Sequence, residues 1–192
     1  SCNLLEQVLS PERLQRFGSE EIPTLCHNIE KIGEHAPDFV ARIFEFVYSH
    51  DIVDDRETNL GESRILPLRS NARQDYELAR YSLSEYFPYF LEQYPSQAIS
   101  AAVSALDGYV ARRHPIDAPT EHVTISGCNI ALKADRSHVW AYNPGSQHAH
   151  DGEELVNKLF QRLQVAPDSD VLVLAKLICE KASLAVFWSR LF

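Results

Sequence analysis

Methionine is absent from this sequence, even at position 1. Translation starts on methionine, so the expectation is a segment taken from a longer protein. The far end points the same way, because Ala185-Val186-Phe187-Trp188-Ser189-Arg190-Leu191-Phe192 reads as apolar helix with no Gly or Asn to cap it. Glycine is scarce: there are seven, none adjacent to another. No GxxxxGK[ST] or GxGxxG run is present, so the segment lacks the loops that cradle nucleotide phosphates. A GxSxG elbow, an HExxH helix and a CxxC pair are missing too. The four cysteines, Cys2, Cys26, Cys128 and Cys179, are far apart and are expected to be free thiols buried as small hydrophobes. No apolar run reaches the ~18–20 residues of a membrane span. The most apolar stretch, 171–192, is broken by Lys176, Glu180, Lys181 and Arg190 and reads as a buried helix. No basic-then-apolar leader opens the chain, and a cytoplasmic location is expected. Excess positive charge is also lacking. Acids outnumber bases 27 to 18, a net charge of −9, which argues against a phosphate-tracking surface. Neither nucleic acid nor membrane is expected as a partner.

What is present is helical periodicity. With 192 residues and 45% apolar content the chain can bury one core or a few stacked repeats. Ser10-Pro11-Glu12 carries an N-cap serine, a proline at the first helical position and an acid in the first turn. A second helix is expected from about Pro23 to Glu34. A third follows Pro37, with Phe39, Val40, Ile43, Phe44 and Val47 on one face. The acidic stretch after it places a loop at 51–70. A long helix starts near Asn71, with Tyr76, Ala79, Leu83, Phe87 and Phe90 inside and Arg73, Asp75, Glu77, Arg80 and Glu85 outside. Pro88 is expected to kink it or end it near Phe87. Another runs from Pro95 to before His114-Pro115, with Ile99, Val103, Leu106 and Val110 recurring at helical spacing.

The period then changes. His122–Ser126 and Ile130–Ala134 flank Gly127-Cys128-Asn129, a hairpin signal with a three-residue loop, and irregular chain follows to 150. Asp151-Gly152-Glu153-Glu154 resembles a capping box ahead of Leu155, Val156, Leu159, Phe160 and Leu163. The last helix follows Pro167-Asp168. Three junctions share a helix–proline–helix design, at Pro37, Pro95 and Pro167, with unequal spacing. The expected fold is therefore all-α. Irregular antiparallel helix pairs form a HEAT-like, solenoid-like array across 1–192, with one small hairpin near 122–134 inside an insertion at 121–150.

Candidate chemistry is thin. His50-Asp51 matches the core of a His/Asp metal phosphohydrolase, which would need an upstream ligand such as His27 or His35 and a distant one such as Asp107. A solvated helix end accounts for the same pair. His148-Ala149-His150-Asp151 departs from the metallohydrolase spacing, and Asp51, Asp54, Asp55, Glu57 and Glu62 do not have the spacing of a calcium loop. No catalytic residue, metal or cofactor is assigned. The surplus of tyrosine around the long helix is different: Tyr81, Tyr89 and Tyr94 are candidates for a partner-binding surface.

Asp54-Asp55-Arg56-Glu57-Thr58, with Ser63-Arg64-Ile65-Leu66-Pro67-Leu68-Arg69-Ser70-Asn71-Ala72-Arg73-Gln74-Asp75-Tyr76, resembles a segment of large bacterial STAND-type NTPases of antiphage defence. Phe87-Pro88-Tyr89-Phe90-Leu91 and, more loosely, Asp135, Ser137 and Trp140 extend the likeness over about 37–140. The resemblance implies a helical-repeat sensor or scaffold region whose partner is a foreign protein or another domain of the same chain. It carries over no catalytic residue. The matched run also has a structural reading: Arg69, Arg73, Gln74 and Asp75 are expected to pin the 51–70 loop, with Ser70 or Asn71 capping the helix.

Overall fold

The computed structural model describes residues 7–50, 71–113, 115, 119–125, 128–141 and 151–192. The helices are α1 (Pro11–His27), α2 (Ile29–His35), α3 (Pro37–Ser49), α4 (Asn71–Gln93), α5 (Pro95–Arg113), α6 (Asp151–Val165), α7 (Asp168–Lys181) and α8 (Ala185–Leu191). Strands β1 (Thr120–Ile125) and β2 (Cys128–Lys133) pair antiparallel, with Ile125 opposite Cys128 and Thr120 opposite Lys133. A 3-10 turn spans Ser137–Ala141. The protein is mostly helical with one small two-stranded sheet, as the periodicities predict. The hairpin differs in detail. Cys128 and Asn129 lie in β2, so the strands are separated by 126–127 and not by a three-residue loop.

The helices pack in two rows. Helices α1, α4 and α6 form one and α3, α5 and α7 the other, with α4 against α5 between them. Single-residue links at Ala36 and Tyr94 join α2 to α3 and α4 to α5, and the second pair crosses between the rows. The most extensive helix–helix contact is α3 on α5, and the sequence of α5 explains it. Ala98, Ala101, Ala102 and Ala105 are fully buried. Gly108 sits where a Cβ would fall 2.7 Å from Ser49 Cβ and 3.1 Å from Ser49 Cα. Small side chains bring the two backbones together, and bulk comes from the other partner, chiefly Phe44, Val47 and Tyr48 of α3. Phe44 stacks on Phe90 and meets Phe87 edge-on, which ties α3 to α4 as well.

Two prolines, Pro23 and Pro88, behave differently from their sequence signals. Pro23 lies inside α1, which continues to His27 and breaks at Asn28, so the expected second helix is the end of α1 plus the short α2. Pro88 lies inside α4, which runs on to Gln93. A proline in a helix leaves the carbonyl four residues earlier without its N–H donor. At position 88 that carbonyl belongs to Ser84, and the Lys158 ammonium of α6 donates to it at 2.9 Å. Lys158 also meets Glu85 at 2.7 Å and Glu154 at 3.1 Å, while Ser84 Oγ donates to Glu154 at 2.9 Å. A tertiary contact replaces the missing bond, which no local rule could foresee. At the other junctions Pro37 opens α3, whereas Pro167 is the N-cap of α7. Asp38 and Asp168 sit in first turns, where carboxylates favour the helix dipole, and do not cap. Ser10 occupies the N-cap of α1, but its side chain makes no capping bond.

The last stretch is not one buried helix. It breaks at Ala182–Leu184 because the Lys133 N–H at the end of β2 takes the Ser183 carbonyl at 2.8 Å. Asp135 and Ser137 then start α8. Asp135 Oδ2 accepts from Ala185 N–H at 2.8 Å, and Ser137 Oγ from Val186 N–H at 3.0 Å. Arg190 Nη2 closes the far end on the Trp140 carbonyl at 3.2 Å and on Asn157 Oδ1. Leu172 and Val173 of α7, expected inside, are exposed.

Candidate functional site

His50-Asp51, weighed in the sequence as a metal pair or a solvated helix end, stands at the end of α3, and the structure gives that end a mechanical role. Arg80 was expected on the polar face of α4, yet it is 4% exposed. Its Nε donates to the Val47 carbonyl at 3.1 Å and its Nη2 to the His50 carbonyl at 2.6 Å. Arg112 of α5 reaches the Tyr48 carbonyl at 3.3 Å. Two guanidinium groups thus satisfy carbonyls that a helix C-terminus leaves open, and their charge suits the negative end of the dipole. His50 Nδ1 lies 2.9 Å from the Phe46 carbonyl and its ring stacks on Phe46 at 4.0 Å. Among the described residues no three His, Cys, Asp or Glu side chains converge on a point. Asp107 lies apart, its carboxylate accepting from Ser183 Oγ at 3.3 Å, with burial holding its pKa above the ordinary value. His27 and His35 end α1 and α2. Asp51, Asp54, Asp55, Glu57, Glu62, His148, His150, Arg69 and Ser70 fall outside the described residues. Arg73 is ion-paired with Glu77 one turn on.

The tyrosines divide. Tyr76 and Tyr86 are buried with Phe87 and Phe90, whereas Tyr81 is 59% exposed and Tyr89 42%. Tyr94 is half-buried, its ring 5.9 Å from Phe90, so it belongs partly to the core. Leu78, which sequence reasoning passed over, is 59% exposed. Leu78, Tyr81, Glu85 and Tyr89 fall at i, i+3, i+7 and i+11, which is one face of a helix. Its signal was available: a leucine in register with two tyrosines, off the buried stripe.

This face borders a groove of about 390 Å³ between α4 and the α1–α2 junction. Cys26, His27, Ile29 and Glu30 line one side, and Ser82, Glu85, Tyr86 and Tyr89 the other. Tyr86 and Tyr89 form a tilted ring pair with centroids 5.7 Å apart. The Tyr86 hydroxyl lies over Gly33, where a Cβ would come 3.2 Å from Tyr86 Cζ and overlap the oxygen. It has no hydrogen-bond partner among the described residues. Burial, with Tyr89, Tyr94, Glu30 and Glu34 nearby, pushes this phenol up to about 12. Burial also pushes the Cys26 thiol up to about 12, so it stays protonated and is a poor nucleophile. Cys26 is a buried free thiol, as expected, whereas Cys179 is only half-buried. The groove therefore offers two carboxylates, an imidazole and an aromatic wall.

No protein family, curated protein or solved structure matches the chain. None of the described helices is long and apolar enough to cross a membrane.

Proposed function

We propose that this chain is a non-catalytic, protein-binding helical segment of a larger cytoplasmic bacterial NTPase, acting as sensor or scaffold in antiphage defence. The observation that carries the binding half of this reading is the Leu78–Tyr81–Tyr89 row. Three large side chains are held out of the core on a helix whose other faces pack against α1, α3, α5 and α6. Exposed tyrosine and leucine in register beside a concavity are what a protein–protein contact uses, because these side chains bury much area for little ordering cost. The two-row helical array supports it by supplying a rigid platform. The NTPase and defence assignments rest on the resemblance of 54–76 to that family.

Two measurements test the two halves. A phosphate-cradling glycine-rich motif encoded upstream of this segment in its gene is expected, and its absence would overturn the NTPase assignment. For the binding half, Tyr81→Ser and Tyr89→Ser should leave thermal unfolding unchanged while weakening capture of the partner by the longer protein. Unchanged capture by both variants would remove the row from the interface.

A further inference from the structure

Helix α7 closes the row α3, α5, α7 and meets α5, α6 and β2 through its inner side, where Leu174 and Ile178 are buried. On its opposite side Asp168, Ser169, Leu172, Val173, Lys176 and Glu180 are all exposed. The terminal helices of such arrays are polar on their outer face. That of α7 is not, because Leu172 and Val173 stand at its middle, 73% and 57% exposed. The charges around Leu172 identify what fits there. Asp168 lies one helical turn before it and Lys176 one turn after it. The Asp168 carboxylate pairs with no described residue. Lys176 reaches only Glu180, at 3.9 Å and in solvent, a contact worth little. An apolar centre with an acid on one side and a base on the other is self-complementary. When the helix is set antiparallel against its own copy about a two-fold axis at Leu172, Asp168 of each copy comes level with Lys176 of the other.

We propose that the outer face of α7 is a homodimer interface, in which two copies of the chain pack this helix antiparallel across a two-fold axis at Leu172. Two reciprocal Asp168–Lys176 ion pairs flank a centre of Leu172 and Val173. A parallel pair would set Asp168 beside Asp168 and Lys176 beside Lys176, which repels. A uniformly acidic or basic partner would oppose one of the two charges with its own sign. The interface is one helix face per copy, so the association is weak and concentration-dependent. It lies on a different helix from the Leu78–Tyr81–Tyr89 row and does not depend on what that row binds.

The test is sedimentation equilibrium of the 192-residue chain. A salt concentration of about 0.15 M screens the net repulsion of two chains of charge −9 beyond about 8 Å and leaves contact pairs in place. The wild-type chain should pass from monomer to dimer between about 10 μM and 1 mM. Asp168→Lys and Lys176→Asp each replace both attractive pairs by like charges, and each should weaken self-association about tenfold or more. Mixed in equal amounts, the two variants should associate with each other as the wild type does with itself, because every lysine again faces an aspartate. A role confined to the monomer would not produce that rescue. Leu172→Ser, at an exposed position, should weaken the dimer roughly tenfold and leave the unfolding midpoint unchanged. A wild-type chain that stays monomeric at about 1 mM would overturn the inference and leave this face to another partner. A dimer indifferent to Leu172→Ser or to the charge reversals would overturn it as well, and so would a mixture no more associated than its components.

Discussion

Replacing Lys158 with methionine should reveal a bond whose worth depends on a proline in another helix. In the native chain Lys158 serves the Ser84 carbonyl that Pro88 orphans, at 2.9 Å, and makes two contacts to partly exposed glutamates. A hydrogen bond to a charged donor contributes about 1.5–3 kcal/mol. The glutamate pairs add roughly 0–1 kcal/mol each, since their carboxylates face solvent. Lys158→Met should therefore cost about 2–3 kcal/mol, or a fall of roughly 5–10 °C in the unfolding midpoint for a chain of this length. Pro88→Ala gives position 88 an N–H of its own, and that N–H can take the Ser84 carbonyl. In the Pro88→Ala background the lysine substitution should lose only its ion-pair and packing component, about 1 kcal/mol. The double-mutant cycle should thus show about 1–2 kcal/mol of coupling, read from urea or thermal unfolding of the four proteins. Equal costs of Lys158→Met in both backgrounds would refute the account and reduce Lys158 to a surface charge.

Other expectations follow from single contacts. Gly108→Ala gains about 1 kcal/mol of helix propensity but drives a methyl into Ser49 Cβ and Cα, so a net loss of roughly 1–2 kcal/mol is expected. A midpoint at or above wild type would show that α3 moves aside freely. Arg80→Lys should cost about 2–4 kcal/mol, because an ammonium cannot bridge the Val47 and His50 carbonyls as the fork does; wild-type stability in urea would refute the bridging. Tyr86→Phe removes a buried hydroxyl with no partner among the described residues and should be neutral or stabilising by up to about 1 kcal/mol; a clear loss in thermal unfolding would point to a hidden bond. Asp107 carries a raised pKa, so the folded state holds that proton more tightly than the unfolded one. Its contribution is fully present below the ordinary aspartate value of 3.8 and is lost as pH rises through the folded value. Asp107→Asn should abolish that decline, seen as a wild-type-minus-variant difference that grows with pH across this window and then levels; a flat difference would count against it.

The helices were legible where one face repeats cleanly, as in Phe39 to Val47, Tyr76 to Phe90 and Leu155 to Leu163. Burial of those faces depends on periodicity alone. The errors cluster where a distant residue overrides a local rule. Pro88 continues its helix because Lys158 comes from α6. Arg80 is buried because the end of α3 needs donors, which a reading of α4 by itself cannot register. The run from 171 to 192 splits because Lys133 and Asp135, some 50 residues upstream, take its backbone groups. Of the candidate surface, Tyr81 and Tyr89 were found by their excess over what a core face can hold. Tyr94 was placed there only because a ring at a helix junction looks the same from sequence whether it packs or not. Leu78 was missed because a single leucine in a helix reads as core. The groove was invisible, since its walls come from segments 50 residues apart.

The cap on α8 also bears on how the chain reaches its native state. A helix of seven residues is too short to persist in isolation, because its nucleation cost outweighs the few bonds it can close. Its first amides are held by Asp135 and Ser137 and its last turn by the Trp140 carbonyl, so α8 can form only once 135–141 has arrived. The two should fold late and open together, as one cooperative unit distinct from the α3–α5 spine. In hydrogen exchange the amides of 185–191 would then report on the docking of a segment that lies 50 positions away in the sequence.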